Sequence, residues 1–332
     1  MEWTYLGSNL KGGYLITQHF NPRDWAGAVP TLLLVACTIL FMDCRGSAAR
    51  RNATVVDEAG RQIAVPTRIE RIVSLAPSLT ELAVAAGAVD RLVGVSSADD
   101  LPQVDSLAHI SALPVDFEGI LNLNPDLVLL LEGVNRSEDA DRLRDLGIAA
   151  YVFDATAIDD VLADIQRLGE MVGTEETAND RARTLRDAVD FVTSTAAAAP
   201  ERPSVLVLVG DADLYAFGSG SYIQDLVRRA GGSSITADIP QMNAVLSEEY
   251  VLSQDPDVIV GAFGEDYDVA ELTRNHPAFA QLRAVRSGRI YSVDPDVLLR
   301  PGPRLVDALA VIAVRLHPEA FNQRGDGVVV LE

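Results

Sequence analysis

Short, mostly apolar runs recur along this chain, with segments of helical character between them. The runs are three to six residues long and lack the polar alternation of a strand with one face in water. Continuous runs of this kind are typical of parallel strands covered by helices on both faces. They lie at residues 71–75, 92–95, 126–131, 149–153, 205–209, 258–260 and 289–293. We therefore predict an α/β fold with mainly parallel sheets covered by helices.

A long helical segment divides these runs into two groups. Residues 175–198 contain no Gly or Pro and carry apolar side chains at helical spacing, which predicts one helix of about 36 Å. We expect a first lobe over residues 45–173, an interlobe helix over 174–199 and a second lobe over 200–332. Such a helix permits rocking of the lobes more readily than wide hinge closure. The alternative is that it packs on one lobe only.

Local signals predict two elements near the start of the first lobe. Residues 54–65 have the pattern of a polar hairpin, which Pro66 ends. Ser78 and Glu81 have the spacing of a capping box, so we expect a helix that begins at Ser78 and stops at Gly87.

The two lobes contain a matching segment. Residues 124–129 read N-P-D-L-V-L, and residues 255–260 read D-P-D-V-I-V, 131 positions later. Glu118 stands eight residues before the Asp of the first segment, and Glu249 stands eight before the Asp of the second. Each glutamate alone reads as a solvated residue in the first turn of a helix. Their matched spacing favours a shared role.

The N-terminal segment has the layout of an export signal. Residues 26–42 form one long apolar run, preceded by Arg23. Within it, L-V-A-C ending at Cys37 fits the pattern of a lipidated cysteine, whereas the residues before Cys44 fit it poorly. The run continues past Cys37, so an uncleaved membrane anchor is the alternative. We predict that residues 1–44 are a leader or anchor and that the rest lies outside the cytoplasm.

Composition and missing motifs argue against several functions. The formal net charge of -21 would repel a nucleic acid. No cysteine follows residue 44, and the chain lacks the G-x-S-x-G, H-E-x-x-H and G-x-x-x-x-G-K-[ST] motifs. His109, which we place in the loop before Glu118, shares no helix face with another candidate ligand. We therefore predict no catalytic residues, no bound metal, no cofactor and no enzyme activity.

Several segments together resemble one protein family. The resemblance covers residues 54–318 and is carried by residues 69–82, 92–99, 124–128, 218–223, 230–232, 276–279 and 300–305. They are similar to the periplasmic binding proteins of ABC importers for cobalamin, iron-siderophores and haem. The R-P-G-P-R-L segment over 300–305 is most like the cobalamin-type members.

The resemblance implies two lobes joined by a single backbone helix, with the ligand held between them. It also implies that Glu118 and Glu249 dock onto arginines of a membrane permease dimer, one glutamate for each lobe. ATPase subunits complete the implied importer. We expect a monomer in the periplasm or at the cell surface, anchored by a lipid on Cys37 or by an N-terminal helix.

The ligand that the resemblance favours is a metal chelate, preferably a corrinoid such as cobalamin. Cobalamin-binding relatives stack aromatic residues on the corrin, but residues 97–99, 110–114 and 241–244 contain no Trp or Tyr. Aromatic contact can come from Tyr215 and Phe217 instead. The predicted ligand-binding residues are Pro77, Ser78, Ser97, Leu113, Tyr215, Phe217, Met242 and Arg300, the last suited to a carboxylate or phosphate.

Three alternatives remain open at this stage. The first keeps the class and changes the ligand to a ferric siderophore or haem. The second is a hydrolase on the same scaffold that uses Asp99, Asp100 and His109, although no activated nucleophile accompanies them. The third is a surface receptor that works without a permease.

Overall fold

The computed structural model describes residues 52–264 and 267–322. The predicted leader, with Cys37, lies outside the described residues. Within the described part, no helix combines the length and the apolar character that crossing a bilayer requires.

The first lobe is built on a five-stranded, fully parallel sheet. Its strand order is β5-β4-β3-β6-β7, so the chain starts in the middle and moves to each edge in turn. A separate antiparallel hairpin, β1-β2, precedes the sheet. The strands are β1 (Asn52–Val56), β2 (Gln62–Pro66), β3 (Ile72–Ser74), β4 (Leu92–Ser96), β5 (Ala108–Ile110), β6 (Leu127–Leu131) and β7 (Ala149–Phe153).

The second lobe has a mixed six-stranded sheet. Its order is β11-β9-β8-β12-β13, with the short β10 beside β8. Strands β8, β10, β12 and β13 pair in parallel, whereas β9 is antiparallel to β8 and to β11. The strands are β8 (Ser204–Leu208), β9 (Tyr215–Phe217), β10 (Ser233–Ser234), β11 (Asn243–Val245), β12 (Val258–Gly261) and β13 (Ile290–Ser292).

Helices connect the strands in both lobes. In the first lobe they are α1 (Pro77–Ala85), α2 (Phe117–Leu123), α3 (Ser137–Asp145) and α4 (Ile158–Val172), and α5 (Glu175–Ala197) follows between the two sheets. In the second lobe they are α6 (Tyr222–Arg229), α7 (Glu248–Gln254), α8 (Ala270–Asn275), α9 (Arg283–Arg286), α10 (Pro295–Leu298), α11 (Leu305–Leu316) and α12 (Pro318–Asn322). The 23 residues of α5 span about 35 Å.

One apolar core runs through both lobes. It joins side chains such as Leu82 of α1, Leu185 of α5 and Leu309 of α11, all nearly fully buried. Two further clusters lie on single sheets, one in each lobe. Because helices of both lobes pack on α5 around a shared core, wide separation of the lobes would expose apolar surface to water.

The predicted fold class is confirmed: two α/β lobes with mainly parallel sheets, covered by helices and linked by one long helix. Two local predictions are wrong. The helix expected to begin at Ser78 begins at Pro77, its N-cap residue is Ala76, and no side chain caps it. His109 lies in β5 and not in a loop. The strands β9 and β11 were not anticipated.

Candidate functional site

The two sheets present the carboxyl ends of their strands to each other. Asp100, in the loop after β4, accepts a hydrogen bond of 2.8 Å from Arg300, in the segment after β13. The amide of Ile158, after β7, donates to the Asp225 carboxylate on α6 of the other lobe at 3.1 Å. Ligands of open parallel sheets bind at this edge. The space between the lobes is therefore the candidate site.

In the first lobe, the predicted ligand residues lie at the start of α1 and on two loops at this edge. Pro77 is the first residue of α1, and Ser78 beside it is buried. Ser97 is exposed, and its amide donates to Ile110 at 2.8 Å, which joins the loop after β4 to the end of β5. Leu113 follows β5 with 64% of its surface exposed. An apolar side chain this exposed is available for contact with a ligand.

In the second lobe, three predicted residues lie together on or beside the antiparallel strands β9 and β11. Tyr215 and Phe217 are two residues apart on β9 and share one face. Met242 precedes β11, and its carbonyl accepts from the amide of Gly218 at 2.9 Å. Tyr215 is 37% exposed and Met242 47%, whereas Phe217 is half-buried against the core. Of the three aromatic and apolar side chains, Tyr215 and Met242 are therefore the accessible ones.

Arg300 is surrounded by carboxylates. Besides Asp100 it contacts Asp296 at 2.7 Å, and Glu81 lies 4.0 Å away. The hydrogen bond from Arg300 lowers the pKa of Asp100, whereas burial raises the pKa of Asp296 against the attraction of Arg300. An anionic ligand that binds Arg300 must therefore compete with the carboxylates of Asp100 and Asp296, which already contact this arginine.

A second arginine of the same segment makes an ion pair that sequence reasoning missed. Glu81 of α1 accepts from Nε and Nη2 of Arg304 at 3.0 and 2.5 Å, although 223 positions separate the two residues. Burial raises the pKa of Glu81, opposed by its bonds to Arg304. The sequence offered only a local signal, the spacing from Ser78, which suggested a capping role.

Asp99 is a half-buried carboxyl at this edge. Its Oδ2 lies 3.0 Å from the hydroxyl of Thr80, which is also 2.9 Å from the hydroxyl of Ser74. Its Oδ1 is buried and has no hydrogen-bond partner among the described residues. Burial raises the pKa of Asp99 to about 6. The carboxyl can therefore change its charge near neutral pH.

The two glutamates of the sequence repeat lie on equivalent helices. Asp116 caps α2 by accepting from the Gly119 amide at 2.9 Å, and Ser247 caps α7 by accepting from the Tyr250 amide at 3.2 Å. Glu118 and Glu249 lie in the first turns of these helices and are exposed. Hydrogen bonds from its own backbone and from the Ser247 hydroxyl lower the pKa of Glu249.

The ends of these helices also match. Asn124 ends α2 at φ 46°, and Asp255 ends α7 at φ 42°, both in the left-handed conformation. The next strand entry is fixed by an aspartate: Asp126 accepts from the amide of Arg71 at 3.0 Å, and Asp257 accepts from the amide of Ser204 at 2.9 Å. The two copies of the repeat therefore match in three structural features: the side chain that caps the helix, the left-handed residue that ends it and the aspartate at the start of the next strand.

The hydrolase alternative finds little support in the geometry. Among the described residues, no hydrogen bond or ion pair joins His109 to Asp99 or Asp100, and His109 is exposed on an edge strand. No group of three or more His, Cys, Asp or Glu side chains in residues 52–264 and 267–322 is arranged to hold a metal ion.

Comparison with known proteins identifies similar chains. The model of the family described as periplasmic binding protein matches residues 72–297. An uncharacterized ABC transporter substrate-binding lipoprotein of Bacillus subtilis is 28% identical over 317 residues, which cover 90% of this chain and 99% of the relative. A cobalamin-binding protein of Halobacterium salinarum is 31% identical over 284 residues, covering 80% of this chain and 74% of the relative.

A solved structure supports the same grouping. The crystal structure of the periplasmic vitamin B12 binding protein of Vibrio cholerae matches with a TM-score of 0.69 and 28% sequence identity. The match covers 75% of this chain and 97% of that chain. The similarity therefore spans both lobes of that protein.

Proposed function

This chain belongs to the periplasmic binding protein family, and we propose that it captures a corrinoid such as cobalamin between its two lobes. It is the solute-binding component of an ABC importer, a class that works with a permease and ATPase subunits. The observation that carries the choice of ligand is the 31% identity to a protein named for cobalamin binding.

The proposed contact residues between the lobes suit a large ligand with both apolar and polar groups. Leu113 and Met242 offer exposed apolar surface, one from each lobe, and Tyr215 adds an aromatic ring. Pro77, Ser78, Ser97 and Phe217 complete the proposed contacts, and Arg300 is the proposed contact for a phosphate or carboxylate. A ferric siderophore or haem is the second candidate, because the stretches where cobalamin-binding relatives carry aromatic residues lack them here.

We assign docking on the permease to Glu118 and Glu249. Neither forms an ion pair within the part of the chain that the structure describes, so each is free to receive an arginine of the partner. A chain that presents the same capped helix twice fits a permease made of two equivalent subunits. Charge-assisted bonds from arginine to carboxylate would fix orientation as well as affinity.

The proposed cycle contains no catalytic step. The ligand stabilises the arrangement of the lobes that contacts it from both sides, and the loaded protein then docks. Release follows when the permease separates the lobes. We place the protein outside the cytoplasm as a monomer, anchored through a lipid on Cys37, which lies outside the described residues.

A binding screen tests this proposal. The purified full-length chain is incubated with cobalamin, cobinamide, haem or a ferric siderophore, freed of unbound ligand, and examined by visible absorption. We expect the cobalamin and cobinamide spectra to be retained. Retention of haem or siderophore alone would replace the corrinoid by the second candidate. Retention of none of them would contradict the assignment to metal chelates.

A further inference from the structure

Residues 302–304 of the second lobe contact α1, the first helix of the first lobe. Glu81 is 7% exposed, and its Oε1 accepts both hydrogen bonds from Arg304, which is the N-cap residue of α11. Its Oε2 is also buried but has no hydrogen-bond partner among the described residues. The buried carboxylate of Glu81 is costly to desolvate, and removal of Arg304 takes away both hydrogen bonds that offset this cost.

Close backbone packing accompanies this ion pair. A Cβ atom added to Gly302 would lie 3.2 Å from Cβ of Ser78 and 3.3 Å from Oε2 of Glu81. The segment around Gly302 therefore lies directly against α1. Separation of the lobes at this point must break the contact and the ion pair together, because both join the same two pieces of chain.

The same segment carries Arg300. That residue stands two positions before Gly302 and binds Asp100 of the first lobe at 2.8 Å. Between Arg300 and Arg304 the chain makes three successive contacts with the first lobe, at Asp100, Ser78 and Glu81. Gly302 and Arg304 follow Arg300 in the chain and contact α1. The position of Arg300 between the lobes therefore depends on these two contacts.

We propose that Glu81 and Arg304 form an interlobe clasp that positions the Arg300 segment and limits separation of the lobes, so that it governs how fast bound ligand leaves. Both are positioning residues, since they act on the ligand through the segment they hold. The inference rests on the proposed function in one respect: the ligand lies between the lobes.

The test separates positioning from simple stabilisation. Arg304→Met removes both hydrogen-bond donors of the buried Glu81 and leaves only Arg300, 4.0 Å away, as a cationic neighbour. The variant should therefore unfold several degrees lower and release cobalamin about tenfold faster or more. The double variant Glu81→Gln with Arg304→Met removes the buried charge, so it should regain most of the lost thermal stability. Release should stay fast in the double variant, because the clasp is still absent.

Two further measurements complete the experiment. In the ligand-free protein, backbone amides at the start of α11 should exchange hydrogen faster in both variants, with no change in α3, which lies in the first lobe away from the clasp. Asp180→Asn with Arg183→Gln removes an exposed ion pair within α5, 3.0 Å long, and should change neither release nor exchange.

If the double variant regains both the thermal stability and the slow ligand release of the unmodified protein, the ion pair between Glu81 and Arg304 only stabilises the fold. That result would overturn the proposal. Unchanged exchange at α11 in both variants would also overturn it. If the unmodified protein binds no cobalamin, the ligand assignment fails, whereas the exchange measurement still decides for or against the clasp.

Discussion

Asp99 shows how one half-buried carboxyl can link stability to pH. The Thr80 hydroxyl, which lies between Asp99 and Ser74, has one proton and can donate to only one of them. A protonated Asp99 can donate to Thr80 and leave the Thr80 proton for Ser74. Burial raises the pKa of Asp99 to about 6, although the hydrogen bond from the Thr80 hydroxyl opposes this shift.

We predict that Asp99→Asn removes a pH dependence of folding. The unfolded carboxyl has a pKa of ~3.9, so between about pH 4 and pH 6 the folded chain holds a proton that the unfolded chain has lost. The contribution of Asp99 to the stability of the unmodified protein therefore falls as pH rises through this window and is level above it. With solvent screening of a partly exposed group, the effect should be about 1 kcal/mol. Thermal unfolding of both proteins between pH 4 and pH 8 measures it.

Asp100→Asn is the matched control with the opposite sign. Arg300 lowers the pKa of Asp100, so this carboxylate stabilises the fold above its unfolded pKa, and the contribution disappears as pH falls through the lowered value. The asparagine variant should therefore be the less stable protein near neutral pH. Equal pH profiles for Asp99→Asn and the unmodified protein would contradict the assignment to Asp99.

Arg300 is the residue whose role in the cleft is most open to measurement. A hydrogen bond between charged groups contributes roughly 1.5 to 3 kcal/mol, so Arg300→Ala should weaken an anionic ligand by about tenfold or more. Isothermal titration gives the dissociation constant. Arg286→Ala, at an exposed arginine at the end of α9, should leave it unchanged. Unchanged affinity in Arg300→Ala would remove this residue from the ligand site.

At the scale of elements, buried parallel strands were the most predictable part of the fold. Their side chains are covered on both faces, so the burial leaves a continuous apolar run that is visible in the sequence, as over Leu127–Leu131 and Ala149–Phe153. The edge strand β11 and its neighbour β9 are three residues each and pair antiparallel, and Ala216 is the one fully buried residue of the two strands. Such short edges leave no comparable pattern.

Contacts between distant segments were not predictable from local patterns. The spacing of Ser78 and Glu81 satisfies the capping box, yet Glu81 points to Arg304 on the other lobe. A local motif indicates which hydrogen bonds a side chain could form with its neighbours in sequence. Which of these bonds form depends on the tertiary packing. By contrast, the repeat around Glu118 and Glu249 was visible because two copies of one local structure leave two copies of one pattern.

The antiparallel pair of β9 and β11, which positions Tyr215, Phe217 and Met242, depends on one glycine. A Cβ atom on Gly218 would collide with the carbonyl oxygens of Ile239 and Gln241, at 2.5 Å from the former. These are backbone atoms, which cannot rotate away. We predict that Gly218→Ala destabilises the fold by about 1 to 3 kcal/mol and displaces Met242, which weakens ligand binding.

Chemical denaturation measures this effect, and Gly210→Ala is the matched control. Gly210 has no atom within 4 Å of the added Cβ, and its backbone does not have a positive φ. The control should therefore stay within about 0.5 kcal/mol of the unmodified protein. Equal stability of the two alanine variants would show that the pair of β9 and β11 accommodates the methyl group.

At the scale of the whole molecule, the two lobes share one apolar core, and each lobe carries one copy of the repeated capped helix. The shared core around α5 and the contacts between the lobes oppose wide opening. The capped helices α2 and α7 repeat the same structure in each lobe. If Glu118 and Glu249 dock as we propose, the two matched anionic positions meet both halves of a dimeric partner at once, which raises the effective concentration for the second contact.

This arrangement leads to a prediction for transport. Glu118→Ala with Glu249→Ala should abolish ligand uptake, because truncating one charged partner at an interface commonly costs ~2 to 5 kcal/mol for each contact. Ligand affinity and thermal unfolding should be nearly unchanged, since exposed carboxylates contribute little to folding. Uptake is measured with the importer reconstituted in vesicles, and affinity and unfolding are measured on the isolated protein.

The matched control is Glu138→Ala with Glu319→Ala. These glutamates are also exposed and lie in first turns of helices, one in each lobe, but outside the repeat. The two double variants lose the same charge, so a general effect of charge on uptake would appear in both, whereas docking through the repeat predicts loss in the first alone. Normal uptake by the first double variant, or loss of its ligand affinity in isolation, would mean that the paired glutamates are a remnant of internal duplication and that the permease recognises another surface.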